Sequence, residues 1–95
     1  MSLFQPTSEE RDTLQKAVAK FAHDPSKAHL LSRLTVDDAE YHPGSEEWKT
    51  LQFCIEQYHL HVQTEVRRDP HKKATKLLFA KADALLARKF HPNFS

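Results

Sequence analysis

Seven histidines in 95 residues raise the question of a metal site, and their spacing is the first thing to test. His59 and His61 are two residues apart, so on a helix they diverge by about 200° and cannot grip one ion together. No two histidines stand three or four apart, and His-Glu-x-x-His is absent. Glu56-Gln-Tyr-His59 has the Glu-x-x-His spacing that carboxylate-bridged metal sites in helical bundles use. Such a site needs a second copy of the motif and two more glutamates, yet the matching position in the other half of the chain is Ala22. Surface or edge-of-core histidines are the expectation, with no metal and no cofactor.

Nucleophilic chemistry has little more to work with. Cys54 and His61 share one side of a helix but sit two turns apart, about 10 Å, where direct activation needs about 3 Å. Gly-x-Ser-x-Gly is absent, and the single glycine, Gly44, cannot build a phosphate-cradling loop. Cys54 reads as a small apolar residue. The chain is not expected to be an enzyme.

Charge carries more information. Residues 1–47 have a net charge of −4 and residues 48–95 a net charge of +5, which makes the overall +1. Arg67, Arg68, Lys72, Lys73 and Lys76 cluster in the second half. Lys72 and Lys73 fall in the first turn of a helix, at the positive end of its dipole. Each forfeits about 0.3–1 kcal/mol there relative to an acid. A local rule broken without visible gain points to function. These cations either balance the acidic half within the fold or meet an anionic partner.

The elements that position these groups are helical. Leu and Ala supply 21 residues against five Val and Ile, a balance that suits helices rather than pleated strands. One glycine leaves almost nothing for hairpin turns. The longest uninterrupted apolar run is Leu77-Leu78-Phe79-Ala80, against about 20 residues for a membrane span. The opening Met-Ser-Leu-Phe-Gln-Pro has neither the basic start nor the apolar stretch of a signal peptide. With one cysteine, these features lead to the expectation of a cytoplasmic protein.

The chain also repeats itself. Pro6-Thr-Ser-Glu-Glu-Arg-Asp-Thr-Leu-Gln15 aligns without a gap on Pro43-Gly-Ser-Glu-Glu-Trp-Lys-Thr-Leu-Gln52, with seven of the ten positions identical. Val18 then falls opposite Ile55 and Phe21 opposite Tyr58. Asp24-Pro25 and Asp69-Pro70 follow as matching stop-and-start devices. A single domain, 1–95, with an internal repeat of 6–42 and 43–90 is expected. Each copy reads as helix, Asp-Pro turn, helix. Thr7 or Ser8 caps the first helix, Leu30, Leu31 and Leu34 mark a short second one, and Ser45 caps the longest, running to about Arg68. The last runs from Pro70 to about Lys89. The predicted fold is all-α: two tandem helical hairpins in a compact four-helix array, with room for an extra short helix near 36–41.

Two local likenesses carry no role over. Trp48, Leu51 and Tyr58 are spaced in part as in a tetratricopeptide motif, which this resembles in repeat length, with Gln52 at the glycine position and Arg11 for the first copy's tryptophan. Arg88-Lys-Phe-His-Pro-Asn93 resembles the His-Pro-Asp region of J-domain co-chaperones over six residues, with Asn93 in place of the aspartate.

On the third helix, Trp48, Leu51, Ile55, Tyr58, Val62 and Val66 form one stripe, while Phe53 and Leu60 lie roughly opposite. Such a helix is either central in the bundle or presents its second face to a partner. The expected function is a non-enzymatic protein–protein interaction module (a small adaptor, regulator or inhibitor) that binds through the Phe53 and Leu60 stripe or a groove between the hairpins. Its partner is another protein or a second copy of the chain. The alternative is nucleic-acid binding through the basic 67–81 segment, using Arg67, Arg68, Lys72, Lys73 and Lys76. Against it, the pI of about 7.9 falls below the value above 9 expected of a dedicated binder.

Overall fold

Capping side chains start the two longest helices in the computed structural model, which describes residues 4–22, 28–35 and 40–87. Thr7 Oγ1 accepts from Glu10 N at 3.2 Å, and Glu10 Oε1 accepts from Thr7 N at 2.9 Å. This reciprocal pair opens α1, Ser8–Phe21. Ser45 Oγ accepts from Trp48 N at 3.2 Å and opens α3, Glu46–Arg68. Such a cap is worth about 0.5–2 kcal/mol. Glu9 and Glu10 in one helix and Glu46 and Glu47 in the other add negative charge at the positive dipole ends. The short α2, Ala28–Arg33, and α4, Lys73–Leu85, complete an all-α array of four helices among the described residues. None of them is long and apolar enough to cross a membrane.

α3 is the central helix. It packs along both α1 and α4, α1 also touches α4, and α2 lies against α1. Leu14, Ala17 and Val18 of α1 meet Leu51, Cys54, Ile55, Tyr58 and Val62 of α3, joined by Ala82 and Leu85 of α4 in one buried cluster. Each large side chain buried this way contributes about 1.5–3 kcal/mol. Leu14, Leu51, Val18 and Ile55 are all fully buried; Tyr58 is buried where Phe21 is only half-buried. The two caps sit one residue out of step, since Thr7 aligns with Gly44 and Ser8 with Ser45.

Side chains tie α2 into this frame. Gln15 Nε2 donates to the Leu34 carbonyl at 2.9 Å, engaging an acceptor at the end of α2. Arg33 reaches both carboxylate oxygens of Glu47 at the start of α3 and donates to the Glu40 carbonyl at 3.0 Å. Its guanidinium also lies 4.9 Å from the centre of the Tyr41 ring.

Two features differ from the sequence expectation. The last helix starts at Lys73 rather than Pro70, because Asp69 closes a turn instead. Its carboxylate accepts from His71 N at 3.3 Å and its carbonyl accepts from Lys72 N at 3.3 Å. Asp before proline favours this turn chemistry over helix initiation. In the expected short helix near 36–41, Glu40 is irregular and Tyr41 extended, while 36–39 lie outside the described residues. Tyr41 instead exchanges two backbone hydrogen bonds of 2.9 Å with Phe4. Phe4 meets Trp48 edge-on at 5.2 Å between ring centres, and both bridge residues are fully buried. The Asp24-Pro25 device and the region after Ala87 also lie outside the described residues.

Candidate functional site

Phe53 and Leu60 stand seven residues apart on α3, just under two full turns, and so share one face. That face points away from Leu51, Ile55, Tyr58 and Val62, which α1 covers. α4 lies on the flank of α3 rather than behind it. His59 stacks on Phe79 at 4.6 Å between ring centres, and its Nε2 lies 3.2 Å from Asp83 Oδ1. Among the described residues, these two neighbouring helices leave the back of α3 open. Phe53 and Leu60 are each 54% exposed, although α3 is central. Of the two placements open to a helix with two apolar faces, α3 takes the central one, and its second apolar pair is left on the outer side.

The same contacts show where the Glu56-x-x-His59 spacing leads. His59 serves as a strut between α3 and α4, fixed by a ring on one side and a carboxylate on the other. Among the described residues no three His, Cys, Asp or Glu side chains converge as a metal cage would require.

Arg67 and Arg68 end α3, Lys72 stands at the cap of α4, and Lys73 and Lys76 lie in its first turns. All five are exposed. Arg67 and Arg68 complement the negative end of the α3 dipole, and Arg68 also sits 3.5 Å from Glu65. Lys72 and Lys73 have no such complement, because α4 has no acid in its first turn and no side-chain cap. Phe79, the aromatic residue in this segment, is turned in against His59 and is only partly exposed.

Sequence reasoning missed two contributions. Leu77 of α4 is 57% exposed; a helical wheel centred on Ala82 would have placed it on the outer side. Lys16 and Lys20 of α1 line a groove with Lys72, so the basic end draws on both halves of the chain. Their i,i+4 spacing was legible, but the net negative charge of the first half concealed it.

Cys54 lies in the core at 1% exposure, and burial pushes its thiol pKa up. A buried, protonated thiol is a poor nucleophile. Thiol-specific reagents at neutral pH are expected to modify Cys54 only as fast as the chain opens. The reaction rate followed against urea should track unfolding, and fast labelling of the native chain would contradict the placement.

Comparison with protein-family models, with curated proteins and with solved structures finds no match for this chain.

Proposed function

We propose that this chain is a non-enzymatic protein–protein interaction module of the cytoplasm, an adaptor, regulator or inhibitor, docking through the outer face of α3. One observation carries the reading: Phe53 and Leu60 remain more than half exposed on one face of a helix whose other apolar side chains are packed. Single exposed apolar residues are ordinary, but an aligned pair on a rigid helix is the arrangement that helix-in-groove recognition uses. Arg67 continues the line seven residues beyond Leu60. Aromatic residues, phenylalanine among them, and arginine are enriched at protein interfaces relative to the rest of the surface.

Changing both Phe53 and Leu60 to serine tests this. The variant is expected to keep its melting temperature within a few degrees and to lose the partner that the native chain captures from its own cells. A sharp fall in melting temperature, or an unchanged set of captured proteins, would contradict the reading. The nucleic-acid alternative draws support from the five exposed cations around the α3–α4 turn. It loses support from Phe79, whose ring faces His59 and is not free to stack on a base.

A further inference from the structure

We propose that the groove between α1, α3 and the start of α4 binds a phosphate monoester group. The groove measures about 550 Å³, room for a phosphate and a small organic moiety. It opens beside the first turn of α4, where aligned amides and the helix dipole favour an anion. Lys72 occupies the cap position there and offers no side-chain acceptor to those amides. Lys20 approaches from α1, and neither Lys20 nor Lys72 makes an ion pair among the described residues. The other charged groups lining the groove are already engaged: Lys16 with Asp12 at 3.2 Å, and Glu65 with Arg68.

An independent observation comes from Thr75, in the first turn of α4. It lines the same groove, is 8% exposed, and its hydroxyl makes no hydrogen bond among the described residues. Thr13, Thr50 and Thr64 behave otherwise, each donating to the carbonyl four residues back. For Thr75 that carbonyl would belong to His71, which lies in the turn before the helix. The hydroxyl is left as a donor for a ligand oxygen, beside two cations and a helix N-terminus. Tyr58, Val62 and Leu78 supply an apolar wall for the rest of the ligand. This site lies on the opposite side of α3 from Phe53 and Leu60, so it stands independently of the docking face.

Amide NMR titration of the full chain tests the site, with inorganic phosphate in one arm and glycerol 3-phosphate in another. Saturable shifts are expected at Lys73, Ala74 and Thr75. Replacing Thr75→Val removes the hydroxyl at nearly constant shape and should weaken binding about tenfold, as for a hydrogen bond to a charged group. Replacing Lys20→Ala together with Lys72→Ala should abolish saturation while preserving the spectrum's dispersion. Tighter binding of the ester identifies a phosphorylated small molecule as the source, and equal binding identifies free phosphate; both support the site. Shifts that grow linearly over all the lysines, or a Thr75→Val variant that binds unchanged, would overturn it. So would a single-stranded oligonucleotide that binds more tightly than the ester, with shifts spread over 67–76.

Discussion

Replacing Phe4→Ala is expected to cost about 3–5 kcal/mol, the usual penalty for truncating a fully buried phenylalanine. Nothing in the helical pattern marks Phe4, yet it is 1% exposed and packs on both Tyr41 and Trp48. Its backbone also pairs with the segment leading into α3. A chain of this size has a total stability of about 5–15 kcal/mol, so the loss would leave a substantial unfolded population. Urea unfolding followed by circular dichroism measures it, and a loss under about 1 kcal/mol would contradict the packing. Tyr41→Phe should behave in the opposite way. The Tyr41 hydroxyl is buried without a hydrogen-bond partner among the described residues, and burial, partly offset by the Arg33 cation, raises its pKa. Removing an unsatisfied buried hydroxyl is expected to be neutral or to stabilise by about 1 kcal/mol.

The second large effect separates the two faces of α3. Ile55 is fully buried between α1 and α3, and Ile55→Ala should cost about 2–5 kcal/mol because the tightly packed site collapses only in part. Phe53 is two positions away on the same helix, and Phe53→Ala should change stability by no more than about 0.5 kcal/mol. Equal losses at both positions would mean that Phe53 is part of the core. In that case the docking face would not exist.

Local chemistry made the capped helices legible in the sequence. Thr7, Glu10 and Ser45 act within three residues of their partners, and Leu14, Val18, Leu51, Ile55 and Val62 recur at helical spacing, so no tertiary information was needed. The late start of α4 depended on a choice local pattern does not settle: Asp69-Pro70 can open a helix or close a turn, and Asp69's side chain settled on the turn. The Phe4–Tyr41 bridge lay beyond pattern altogether, since two single residues 37 apart in sequence pair through their backbones. Phe53 and Leu60 were legible as a second stripe. Their exposure depended on where α4 came to rest, and His59, through Phe79 and Asp83, fixes it on the flank. The basic groove needed α1 to lie beside α4, which charge counted along the chain could not show.

Side-chain oxidative footprinting of the chain, free and bound to its captured partner, tests the docking face most directly. Phe53 and Leu60 should oxidise readily in the free chain, in keeping with their exposure, and should become protected in the complex. Equal oxidation of both residues with and without the partner would contradict the assignment of this face.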